Sequence, residues 1–168
     1  RKARPLDQLG KERKRLFLEE LEDRRLMTSG PSLVAILPVS DDAILNGDTF
    51  LNNNDTLNVA PRGITFRFAQ GNVIDPTTLA NGFVVTSGGP DRILGDTDDQ
   101  VITPGYIGIG NSPREVVMRF ASTLPDNVYS VTLVGAADPL HPTWSPIKDL
   151  DGNAYNSSSV PGTALPND

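Results

Sequence analysis

The sequence predicts an all-β sandwich of about seven short strands, preceded by a short N-terminal helix. Three observations lead there. From residue 32 onward the apolar residues recur with a period of two, the spacing of a strand with one buried face. Gly, Pro, Asn and Asp separate these runs at short intervals, as turns between strands require. The acidic residues also change type: residues 26–168 hold fourteen Asp and only Glu115. Asp gathers in turns and caps, where its short side chain bonds nearby backbone, whereas Glu favours helix surfaces.

Three segments follow from charge and period: a basic helical segment over 1–28, the sandwich over 29–156, and a linker or the start of a last strand over 157–168. Residues 1–25 carry nine Lys/Arg and six Asp/Glu, a net of +3, while 26–168 carry a net of −9. Residues 11–27 contain no Gly or Pro and are rich in Glu, Arg, Lys and Leu, so they read as helix. Glu20 and Arg24 stand at i,i+4 with the acid first, the better orientation. Leu16, Phe17, Leu18, Leu21 and Leu26 give a partial apolar stripe. A basic helix could bind anionic lipid or nucleic acid, but the interleaved acids favour a solvated helix, and the acidic remainder repels phosphate. Ser29-Gly30-Pro31 marks the change of period.

The strands come in order. Residues 32–38 form the first, ended by Pro38. In 63–68, Ile64, Phe66 and Phe68 share one face, with Thr65 and Arg67 on the other. Asp75-Pro76 opens a single helical turn, Asp as N-cap and Pro at the first helical position. Residues 83–86, 100–103 and 106–109 are shorter strands. Residues 115–120 place Val116, Met118 and Phe120 inward, and 128–134 place Tyr129, Val131 and Leu133 inward. These nine inward residues on three strands are the expected core. The tail after Asn156 has three Ser, two Pro and no alternating apolar run, so a closing strand is expected just beyond Asp168. Both ends read as cuts through a longer polypeptide.

Composition narrows the chemistry. The absence of Cys excludes disulfides, thiolate metal sites and cysteine nucleophiles, and a single His excludes His-rich zinc sites. No run approaches the ~20 apolar residues of a membrane-spanning helix. His141 lies in a proline-punctuated loop and has no Gly-x-Ser-x-Gly elbow to partner it. Gly105, Gly108 and Gly110 lack both the spacing and the following helix of a dinucleotide fingerprint. The paired carboxylates Asp41/Asp42 and Asp98/Asp99 are neighbours in turns. The sequence therefore reads as non-enzymatic.

Calcium is the cofactor to weigh. Asp149, Asp151 and Asn153, and separately Asp96 and Asp98, gather the hard oxygen ligands that Ca²⁺ prefers. An EF-hand loop starting at Asp149 would need Gly at 154 and Glu at 160, where this chain has Ala154 and Val160. The preferred reading of Asp149–Asn153 is a tight turn in which Gly152 and Asn153 supply left-handed conformers, with no resident cofactor.

Two stretches carry a resemblance. Leu18-Glu-Glu-Leu-Glu-Asp-Arg-Arg-Leu-Met27 resembles the short L-E-x-L-E-x-R-x-L-L motif near the N-terminus of very large secreted proteins of planctomycete-type bacteria. There it follows a basic stretch and is suspected of serving export or sorting. The resemblance gives that role to Leu18, Glu19, Leu21, Glu22, Arg24 and Leu26. Residues 59–156 resemble the bacterial Ig-like domain of the SbsA type, found in S-layer and adhesin-like chains. The matching motifs are Ile64-Thr-Phe-Arg-Phe68, Val73-Ile-Asp-Pro-Thr77, Leu124-Pro-Asp-Asn-Val-Tyr-Ser-Val-Thr-Leu133 and Asp149-Leu-Asp-Gly-Asn153. Tyr129 then stands where an Ig-like sandwich uses a tyrosine hydroxyl to bond backbone across a corner.

The expected function is a structural module near the N-terminus of a large secreted or cell-surface protein, spacing or presenting neighbouring domains of the same chain. The alternatives are an adhesin module, gripping a glycan or protein through loops 41–55 and 138–148 with calcium assistance, or the non-catalytic part of a larger secreted enzyme. Trp144 is the candidate sugar contact, since an indole can stack on a pyranose. Its other reading is a side chain that anchors its loop to the sandwich.

Overall fold

The computed structural model describes residues 30–38, 50–69, 71 and 73–156. The N-terminal helix, the sorting-like motif, Asp41/Asp42 and the 157–168 tail lie outside the described residues.

Seven strands follow in order: β1 (Leu33–Pro38), β2 (Gly63–Phe68), β3 (Phe83–Ser87), β4 (Gln100–Ile102), β5 (Tyr106–Ile109), β6 (Glu115–Arg119) and β7 (Tyr129–Leu133). They form two antiparallel sheets, one ordered β1-β2-β6-β5 and the other β4-β3-β7. Lettered in sequence as A, B, C, C′, D, E and F, the first sheet is A-B-E-D, the arrangement of an immunoglobulin-type sandwich. The second is C′-C-F. Pairing β2 with the distant β6 rather than with β3 is what splits the chain between two layers.

Register explains which residues enter the core. Ile64 lies opposite Met118 and Phe66 opposite Val116, so the apolar positions of β2 and β6 share the inner face. On β1, Ile36 lies opposite Phe66 and Leu33 opposite Phe68. A register shift between Leu33 and Ala35 turns Val34 outward and leaves it exposed. From the facing sheet come Phe83 and Val85; the Phe83 ring meets Phe66 at 4.8 Å between centroids. Phe66 is fully enclosed.

Of the nine core positions expected, Ile64, Phe66, Phe68, Val116 and Met118 are buried, while Phe120, Tyr129, Val131 and Leu133 are half-buried against them. The difference is positional. Phe120 falls just past the end of β6, and β7 is the outermost strand of its sheet among the described residues. Loop residues complete the core instead. Ile74, Leu79, Ile147 and Tyr155 are buried, and Tyr155 packs edge-on against Phe68 at 6.2 Å.

Connections are fixed by side-chain caps. Asp75 Oδ1 accepts from the Thr77 N–H at 2.9 Å and the Thr77 hydroxyl at 2.7 Å, capping the 3₁₀ turn Pro76–Thr78. These two bonds hold the Asp75 carboxyl below its ordinary pKa. At the far end of the described chain, the Asn156 N–H donates to Pro31 O at 2.9 Å. Gly30 is required beside it, because a β-carbon there would collide with the Ala154 carbonyl.

Candidate functional site

The Asp-rich loop between β3 and β4 gathers more charge than any other described segment. It holds Asp91, Asp96, Asp98 and Asp99 within nine residues. Backbone turns fold it back on itself: Gly89 and Gly95 have φ of 57° and 98°, and Arg92 has φ of 64°. Each of three carboxylates accepts a nearby backbone N–H: Asp91 from Ile93 at 2.9 Å, Asp96 from Asp98 at 3.1 Å, and Asp99 from Gly95 at 2.8 Å. Asp98 packs on Gly89, where a β-carbon would stand 2.6 Å from its carboxyl. The outcome is that Asp91, Asp96 and Asp98 bring carboxylate oxygens within 4.8 Å of one another. Oxygen donors of this kind suit a hard cation such as Ca²⁺ rather than zinc. The loop is tied to the β6–β7 turn by Asn127 Nδ2, which donates to Gly89 O at 2.8 Å, and by an exposed Arg92–Asp126 ion pair at 3.2 Å.

The second sequence cluster has a different organisation. Asp149 is only 2% exposed, yet its carboxylate is answered from within the turn. Its Oδ1 accepts the Asn153 N–H at 2.8 Å, and the Asn153 amide reaches both oxygens at 3.2 and 3.1 Å. The backbone closes the same turn: Gly152 N–H to Asp149 O at 3.0 Å, and Asp149 N–H to Asn153 O at 3.0 Å, with Gly152 at φ 85°. Asp151 is exposed. The turn also has a structural task. Asp149 bridges to Ile74, and the Asp75 N–H donates to Lys148 O at 2.9 Å, joining the turn to the capped 3₁₀ segment.

A third group occupies the loop after β7. His141 Nδ1 lies 2.5 Å from Asp138 Oδ2, and its ring stacks on Trp144 at 3.9 Å and 8°. The His141 bond, joined by the Leu140 N–H, holds Asp138 below the ordinary carboxylate range. Trp144 N–H donates to His141 O, and Ser145 N–H to Asn81 O, so the loop is stapled to the turn before β3. One indole face is therefore occupied by His141 of its own loop.

The structure thus joins Asp96 with Asp98, as the sequence grouping proposed, and adds Asp91, which that grouping left out. Its spacing of five residues from Asp96 gave no sign of the fold-back at Arg92 and Gly95. Asp149 and Asn153 meet as turn partners. Compared with protein-family models, curated proteins and solved structures, the chain gives no match.

Proposed function

We propose that the chain supplies a non-enzymatic Ig-like module of the SbsA type near the N-terminus of a large secreted or cell-surface bacterial protein, where it spaces or presents neighbouring domains. The observation that carries this reading is the tyrosine corner at Tyr129 within an A-B-E-D / C′-C-F strand order. The Tyr129 hydroxyl donates to Pro125 O at 2.7 Å, four residues upstream. The four motifs behind the resemblance also fall on distinct structural parts: β2, the capped 3₁₀ turn, β7 with its corner, and the Asp149–Asn153 turn. A stiff sandwich leaves binding to its surface and loops.

The test is cellular. Protease treatment of intact cells, followed by detection with an antibody to the sandwich, should remove the protein, and part of it should be found in the medium. Full protection in intact cells, with digestion only after lysis, would overturn the reading.

The Asp91/Asp96/Asp98 group favours a second reading, a calcium-assisted adhesin. In that case binding to cell-surface glycan or protein should vanish with a chelator and return with Ca²⁺. Binding indifferent to chelation would leave the spacer reading alone.

A further inference from the structure

A glycine stands in the interior of β5, where it costs backbone entropy and packs nothing of its own. Gly108 lies opposite Val117 of β6, and Tyr106 lies opposite Arg119, so these four share the outer face of the β1-β2-β6-β5 sheet. Tyr106 explains the glycine. A β-carbon at position 108 would stand 2.8 Å from Tyr106 Cζ and collide with the hydroxyl. The phenol end lies over Gly108, and the residue remains 51% exposed. Arg119 completes the pair, its guanidinium 5.9 Å from the ring centroid. With Thr65, Val117 and Asn111 they line an open hollow of about 370 Å³.

Charge says what belongs there. Residues 26–168 hold six Lys/Arg against fifteen acids. Three of the six cations, Arg67, Arg114 and Arg119, line the two hollows of this one face. The acid beside them, Glu115, is bonded to Arg67 at 2.8 Å. Arg119 makes no ion pair with a described residue. An anionic ligand is drawn to this face and repelled by the Asp-rich loop elsewhere.

The geometry points to a binding site for an acidic polysaccharide, with a pyranose ring stacked on Tyr106 and its carboxylate paired with Arg119. The ring is held in place before a ligand arrives, which reduces the ordering cost of binding. The Thr65 hydroxyl and the Asn111 amide offer hydrogen bonds to sugar hydroxyls. A uronic acid carries its carboxylate and its hydroxyls on the same ring that would stack on Tyr106, so one residue can meet Arg119, Thr65 and Asn111 together, whereas a nucleotide's charge lies on the phosphate, away from the base that would stack. The site is independent of the spacer reading, since it needs only the sheet face.

The test is affinity electrophoresis of the full chain through gels holding polygalacturonate, its methyl-esterified form, or single-stranded DNA. Polygalacturonate should retard the chain, less so as salt rises, and the esterified polymer should not. Tyr106→Ala and Arg119→Gln should each weaken retention about tenfold, Tyr106→Phe should retain it, and Gly108→Ala should weaken it by displacing the ring. Arg92→Gln, on the β3–β4 loop, should bind as the parent does. Thermal melts of each variant report its folding separately. No retardation by polygalacturonate, equal retardation by the esterified polymer, stronger retention by DNA, or normal binding by folded Tyr106→Ala would overturn the inference.

Discussion

Tyr129 and Pro125 close a five-residue turn through one bond, the phenol hydroxyl donating to the proline carbonyl at 2.7 Å. The bond pins the turn that delivers β7 to its partner β3, whose Ser87 lies opposite Tyr129. Replacing Tyr129 with Phe keeps the ring against the core and removes only the hydroxyl. The expected loss is about 1 kcal/mol, read as a lower denaturation midpoint at unchanged slope. An unaltered midpoint would mean that the corner contributes nothing to stability.

The strand register is tested at Phe66, which is enclosed on both sides by Val116 and Phe83. Phe66→Ala should cost ~3–5 kcal/mol, from lost burial together with the cavity left behind. A midpoint equal to the parent's would sink the assignment of Phe66 to the inner face.

Asp149 separates a turn from a metal site. Asp149→Ala removes the buried acceptor that the half-buried Asn153 donors share, and about 1–2 kcal/mol of stability should be lost. The loss should be the same in chelator and in millimolar calcium. A loss that appears only with calcium present would make Asp149 a ligand instead.

Alkali should loosen the sandwich through two tyrosines. Burial pushes the Tyr129 phenol above its ordinary value of 10.0, and Asp126 nearby adds to this. Burial alone raises Tyr155 in the same direction. A phenol whose folded-state pKa is raised favours folding fully below the unfolded value. That contribution is lost as pH climbs past about 10 toward the folded-state values. Denaturation midpoints should therefore fall once pH enters the window above about 10, and Tyr155→Phe should shrink the fall. Midpoints that stay flat across this window would show that neither phenol is linked to folding.

Local rules made the strands readable. Short apolar runs separated by turn residues located all seven within a residue or two, and β2 and β6 also carry their burial in their own alternation. Asp75-Pro76 was equally plain, since an N-cap followed by Pro at the first helical position is a local signal. What stayed hidden depended on distant partners. Ile74, Ile147 and Tyr155 lie outside strands, and only the folding of their loops over the open side of the sandwich buries them. Phe120, by contrast, continues the alternation of β6 but stands past its end, so pattern alone overstated its burial. Asp91 joined Asp96 and Asp98 through positive-φ turns at Arg92 and Gly95, and Tyr106 came to rest on Gly108 through a contact between side chain and backbone. Spacing alone records neither.

The pairing of β2 with β6 also governs the order in which this chain can fold as it is made. When β2 has emerged, the strand that must cover its far side is still some fifty residues from synthesis, and β1 alone gives it one neighbour. β3 likewise waits for β7. Neither layer can finish without the last third of the described chain, so early segments gain little from partial assembly while loop-closure entropy accumulates against them. Folding is then late and concerted. A ribosome stalled before Glu115 would hold two open sheets at once, both with unpaired edges available to other chains.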